Sequence, residues 1–250
     1  TYSEIEIELI LIKEEYDLYI NIPKNEEEYY HIYFNDNTEE EKKENLHKSK
    51  NIKKVKIIID YQIKSFIELF KGSRCIKSIT FKRFKRKTIT NMSRMFYGCT
   101  SLREINLTNF NTDNVTDMSG MFFRCLSLKE INLSNFNTNK VTSLRSMFWR
   151  CSSLIQVNLS NFKTNNVTDM SGMFRDCSSL KELNISNFKI NNTINMSYMF
   201  WGCSSLKELN LFKFNENNKI EMIDMFHGCS DILKLKIKEQ DKNIKNEAFS

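Results

Sequence analysis

Seven cysteines and three histidines are the side chains of this 250-residue chain best suited to chemistry. Six cysteines recur every 26 residues, at Cys99, Cys125, Cys151, Cys177, Cys203 and Cys229; the seventh, Cys75, is out of register. Such a column could bind metal, form disulfides, or fill a core as small apolar residues. Metal sites call for close pairs such as C-x-x-C joined by histidine, and the chain has no such pair. Disulfides need Cα atoms within about 7 Å, whereas helices packed side by side stand about 8–10 Å apart. The spacing favours a structural column, and free thiols suit a reducing compartment. His31, His47 and His227 stand apart, without a G-x-S-x-G, P-loop or H-E-x-x-H pattern. The expectation is a chain that is not an enzyme, holds no metal and needs no cofactor.

The elements that would position these residues follow from the same period. Phenylalanine recurs at Phe70, Phe96, Phe122, Phe148, Phe174, Phe200 and Phe226 without insertion or deletion. A fixed period of this length predicts a solenoid, in which each repeat buries its apolar face against its neighbours. In residues 102–127, Leu102, Ile105 and Leu107 form an L-x-x-I-x-L strand. Met118, Met121, Phe122 and Cys125 then fall at i, i+3, i+4 and i+7, which predicts about two turns of helix with Thr116 as its N-cap. Repeating this plan gives an α/β solenoid of seven 26-residue strand-turn-helix coils over 63–238, followed by a polar tail at 239–250.

Residues 1–62 lie outside the repeat. Ile5, Ile7, Leu9 and Leu11 alternate as a strand. Further strands are expected over Tyr16–Ile22, Tyr29–Phe34 and Lys53–Ile59, with a charged loop at 36–51. A repeat array cannot leave its end open to water, so this segment is expected to be a β-rich cap.

The units NVTDMSGMFFRCLSLKEINLSNF (114–136) and NVTDMSGMFRDCSSLKELNISNF (166–188) resemble the bacterial surface-protein 26-residue repeat (DUF285) of the BspA-like leucine-rich repeats. The resemblance covers residues 63–238 and implies a leucine-rich-repeat solenoid that works in adhesion or protein binding. It implies no catalytic residues.

Three surfaces are candidates for that binding. The residue after each repeat phenylalanine lies about 140° from the apolar stripe on a helical wheel at 100° per residue. It reads Tyr97, Phe123, Trp149, Arg175 and Trp201 through the central repeats, which makes it either a convex interface or a finish to the core. The strand face carries Glu104, Asn106, Glu130, Asn132, Gln156, Asn158, Glu182, Asn184, Glu208 and Asn210, either as a solvated polar face or as a binding strip. Lys82, Arg83, Lys85, Arg86 and Lys87 form the densest basic run.

The net charge of +6 conceals an acidic lead-in: residues 1–62 hold nine lysines against fifteen carboxylates. No exposed aromatic is interleaved with the basic run, so nucleic acid is not the favoured partner. Nor does any apolar stretch reach membrane-span length. The reading is a protein-binding or scaffold subunit of a larger assembly, its partner unidentified, in the cytoplasm. The chain starts at Thr1 without a signal-like segment; an upstream signal peptide would move it to the cell surface as an adhesin for host protein or glycan.

Overall fold

The computed structural model describes residues 4–12, 18–41, 52–84, 87–214 and 219–250. Among the described residues, nine strands and one α-helix follow in chain order: β1 (Ile5–Leu11), β2 (Tyr30–Phe34), β3 (Lys54–Ile59), β4 (Ile76–Phe84), β5 (Glu104–Asn106), β6 (Glu130–Asn132), β7 (Gln156–Asn158), β8 (Glu182–Asn184), β9 (Glu208–Asn210) and α1 (Asp231–Gln240). The first five make a sheet ordered β2-β3-β1-β4-β5; β6-β7 and β8-β9 are separate pairs.

Alternation decides the N-terminal sheet. Ile5, Ile7 and Leu9 are fully buried while their neighbours face outward. β1 runs antiparallel to both β3 and β4, and β4 then pairs in parallel with β5. The first repeat's strand therefore belongs to the N-terminal sheet as well. The expected strand at Tyr16–Ile22 begins outside the described residues, and 18–22 is not a strand. Leu18, Ile20 and Ile22 are nonetheless buried, and the Asn21 amide donates to the Leu69 carbonyl at 2.8 Å.

The solenoid of strand-turn-helix coils is not what the chain forms. Among the described residues the repeats contain no helix before α1 in the last one, and their strands beyond β4 are three residues long and divided among small sheets. The 26-residue period that puts a strand at Leu102–Leu107 would put the seventh at Ile232–Ile237, and that segment is instead part of α1. The apolar spacing was read correctly: Met118, Met121, Phe122 and Cys125 are all fully buried. A run of linked turns satisfies the same spacing. The Met121, Phe123 and Cys125 amides close turns onto the Met118, Gly120 and Phe122 carbonyls. The alternate amides, of Met118, Gly120, Phe122 and Arg124, donate to the Ser143, Arg145, Met147 and Trp149 carbonyls one repeat onward, at 2.8–3.2 Å. A helix would tie every amide to its own i−4 carbonyl and leave none for the next repeat. The third residue of the first and last turns is left-handed, at Gly120 (φ 59°) and Arg124 (φ 58°), as turns of type II require.

Thr116, expected as a helix N-cap, instead donates its hydroxyl to the Thr90 carbonyl at 3.1 Å. Beside it a column of single parallel bridges links Ser65, Asn91, Asp117, Ser143, Asp169, Asn195 and Glu221. The repeat phenylalanines stack in sequence from Phe70 to Phe226, centroids 5.4–5.9 Å apart and planes within 13°. Each end is closed by a substitute rung. Residues 18–22 cover the first repeat, and the short 3-10 helix Asn246–Phe249 covers the last. There the Phe226 amide donates to the Ala248 carbonyl and Phe249 stacks on Phe226 at 5.3 Å.

Candidate functional site

The thiol column is consumed by the fold. Each in-register thiol donates to the carbonyl of the preceding repeat's phenylalanine, from Cys99 to Phe70 through Cys229 to Phe200, at 3.0–3.2 Å. All seven cysteines are buried thiols outside any disulfide. Burial pushes the Cys151 thiol up to about 12 and the Cys229 thiol up to about 11, so neither is a nucleophile near neutrality. At the first repeat Ser73 stands in for cysteine, and its hydroxyl donates to the Tyr19 carbonyl at 2.6 Å.

Other polar columns are spent in the same way. Thr112, Thr138 and Thr164 are buried; each hydroxyl donates to one backbone carbonyl of the next repeat and accepts that residue's amide, at 2.7–3.0 Å. Asn135 and Asn187 side-chain amides donate back to carbonyls of the preceding repeat. No cluster of three or more metal-ligating side chains occurs among the described residues.

The column after the repeat phenylalanine is half-buried, and its members stack on one another. Tyr97 and Phe123 lie face to face at 4.5 Å and 7°. Trp149 is tilted against Phe123 at 5.0 Å. The Arg175 guanidinium sits between Trp149 at 4.6 Å and Trp201 at 4.5 Å, with Tyr198 at 5.1 Å. Trp201 stacks on His227. Trp149 Nε1 donates to Asp176 Oδ2 at 3.1 Å, and Arg150 Nε approaches the same oxygen at 3.4 Å.

Beside the front of this stack runs an open groove of about 590 Å³ formed by Lys71, Arg94, Tyr97, Ser119, Gly120, Phe123, Arg145, Ser146 and Trp149. Glu68 accepts from both Lys71 (2.8 Å) and Arg94 (3.1 Å), and these bonds, led by Lys71, hold its carboxyl below the usual range. Arg145 is exposed and has no ion-pair partner among the described residues.

The strand face is solvated. Glu104, Glu130, Gln156, Glu182 and Glu208 are exposed, as are the asparagines beside them. Register places Glu130 beside Gln156 and Glu182 beside Glu208. Asn106, Asn132, Asn158 and Asn184 each accept the amide two residues on at 3.0–3.1 Å, so they fix the turn after the strand. A second groove, of about 720 Å³, crosses this face between Arg103, Glu104, Lys129 and Glu130.

Two members of the basic run are answered by the acidic lead-in and a third by a repeat. Lys82 faces Glu8 at 3.5 Å, Arg83 faces Glu4 and Glu6 at 3.7 and 3.6 Å, and Lys87 meets Asp113 at 3.0 Å. Lys85 and Arg86 lie outside the described residues, as does His47. Phe81 and Phe84 are buried against Phe110.

Sequence reasoning missed Arg94, Ser119, Gly120, Arg145 and Ser146 as groove residues. The signal was the six glycines, all at positive φ and all two residues before or after a repeat phenylalanine. Glycine at Gly120 and Gly172, inside an otherwise helical pattern, marks a turn.

The family profile described as "Mycoplasma protein of unknown function, DUF285" matches the chain twice, over residues 64–157 and 128–240. No curated protein and no solved structure matches. No helix among the described residues is long and apolar enough to cross a membrane.

Proposed function

The chain belongs to the DUF285 repeat family, and from that premise we propose that it is a non-catalytic protein-binding module, a scaffold or subunit of a larger assembly. The family match is compatible with a surface or protein-interaction role. One observation carries the reading further: the in-register thiols, the buried threonine hydroxyls and many side-chain amides that could do chemistry are bonded between repeats, while two long side faces remain open. Open repetitive faces suit recognition of an extended partner. Free, buried thiols are compatible with a reducing cytoplasm, which is the compartment we propose.

The experiment is site-directed photo-crosslinking from each face. A photoreactive residue at Ser119 or at Glu182, each in the full chain, is expected to trap a discrete protein from native extract. Excess unmodified chain should compete the trap away. Absence of a competed protein adduct from both faces overturns the reading.

A further inference from the structure

We propose that the groove along Lys71, Arg94, Arg145 and the Tyr97–Phe123–Trp149 stack binds an extended acidic segment of a partner protein; this rests on the protein-binding reading above. Charge is the first argument. The groove's lining holds Lys71, Arg94 and Arg145 and no carboxylate; Arg124 and Arg150 lie one residue beyond its ring column, and Glu68 is the carboxylate beside it. Glu68 is already shared by Lys71 and Arg94, and Arg150 faces Asp176. Arg124 and Arg145 are exposed without an ion-pair partner among the described residues. Farther along, the same columns offer Arg175 beside Asp176 and Asp224 beside His227, so the excess is confined to one end.

The ring geometry selects the class of anion. Sugars and bases bind aromatic side chains through an open ring face. Tyr97 and Phe123 give their faces to each other, and Trp149 gives one to Arg175. The other face of Tyr97 lies under the Lys71 ammonium at 5.7 Å and Phe123 also meets the tilted Trp149, which leaves mainly ring edges, the positive part of the quadrupole, and favours carboxylates over stacked rings. A strand-addition mode is closed as well. The Ser119 amide is taken by Asp117, those of Gly120 and Ser146 by the next repeat, and those of Phe123 and Trp149 by local turns. Recognition therefore falls to side chains. At 5.4–5.9 Å per repeat in the adjoining phenylalanine stack, Lys71 to Trp149 spans about 17 Å, the reach of about five extended residues.

The test uses the full chain and a fluorescein-labelled eight-residue peptide of alternating Glu and Ser, with alternating Lys and Ser and with polygalacturonate as comparators. Binding of the Glu peptide is expected to weaken with salt and to fall at least tenfold in the double variant R94E/R145E. Both side chains are exposed, so this variant should keep its circular dichroism, and the lost Arg94–Glu68 surface pair should lower its melting temperature only slightly; Lys163→Glu, on a different column, should bind as the parent does. Equal binding by R94E/R145E, or preference for the Lys peptide, overturns the assignment while leaving the protein-binding reading intact. Binding of polygalacturonate but not of the Glu peptide overturns both. If none of the three probes binds, the assignment falls alone, and the crosslinking experiment judges the broader reading.

Discussion

The Cys151 thiol donates to the Phe122 carbonyl at 3.0 Å, across the boundary between two repeats. Phe122 O also accepts the Cys125 amide that closes its own turn, so one oxygen ties a turn to the repeat that follows it. Cysteine fits because it is small, apolar and still a weak donor.

Cys151→Ala should lower unfolding stability by about 1–2 kcal/mol, from the lost bond and the small cavity it leaves. The loss should depend on pH. An unfolded cysteine ionises from about pH 8.5, whereas burial holds the folded Cys151 thiol up to about 12. The thiol's share of stability is therefore full below about pH 8.5 and declines as the unfolded chain sheds its proton. The gap between parent and Cys151→Ala should narrow by roughly 1 kcal/mol per pH unit above pH 9. Urea unfolding at pH 7, 9 and 10 measures it; a constant gap would show that the thiol is not shielded.

Two glycines with the same backbone geometry should respond differently to alanine. Gly98 (φ 72°) and Gly228 (φ 74°) are both left-handed, which penalises any Cβ by about 1–2 kcal/mol. A Cβ on Gly98 would meet Gly72 backbone at an ordinary 3.8 Å. On Gly228 it would meet the Gly202 Cα at 3.2 Å and its nitrogen at 3.3 Å. Backbone held in the ladder cannot step aside cheaply, so Gly228→Ala should cost about 1 kcal/mol more than Gly98→Ala. Chemical denaturation of the two variants decides it, and equal losses would refute the close approach.

Arg175 should contribute through its planar group and not through charge alone. It lies between two indoles, and its Nε is buried without a hydrogen-bond partner among the described residues. Arg175→Ala should lose about 1–2 kcal/mol and shift tryptophan emission to the red as Trp149 and Trp201 gain water. Arg175→Lys should recover less than half, since an ammonium cannot stack on both faces. Full recovery by lysine would leave only a charge effect.

The period, the buried columns and the N-terminal alternation were legible because each depends on residue spacing alone. Met118, Met121, Phe122 and Cys125 could be assigned to the core without knowing the backbone that carries them. That backbone could not be assigned from spacing, since a helix and a run of linked turns both bury i, i+3, i+4 and i+7. Only the left-handed sites at Gly120 and Arg124 separate the two, and arginine gives no hint of positive φ. The pairing of Arg83 with Glu4 and Glu6 was hidden for a different reason: it exists because β1 lies against β4, a contact between segments about 75 residues apart. Arg94 and Arg145 stand three and four residues before Tyr97 and Trp149, which borders the ring column on a helix as well as on linked turns; the open groove between them follows from the turns alone.

His31 offers a test of the N-terminal sheet independent of the repeats. Its Nδ1 lies 3.1 Å from Glu40 and its Nε2 lies 3.2 Å from Asp60, so β2 is clasped on both sides by carboxylates. Burial works against the imidazolium, but the hydrogen bonds with Asp60 and Glu40 together outweigh it and raise the pKa above the ordinary value. A raised value means that the stabilisation is fully present below the unfolded value of about 6.5 and is lost as pH rises through the folded one. Partly exposed ion pairs of this kind are worth about 0.2–1 kcal/mol. His31→Gln should therefore destabilise the chain more at pH 5.5 than at pH 8, by a difference of that order. Hydrogen exchange should show the same trend at the β2 amides, with protection in the parent falling towards that of the variant as pH rises once intrinsic exchange is subtracted. A variant equally destabilised at both pH values would show that His31 holds the strand by packing and not by its charge.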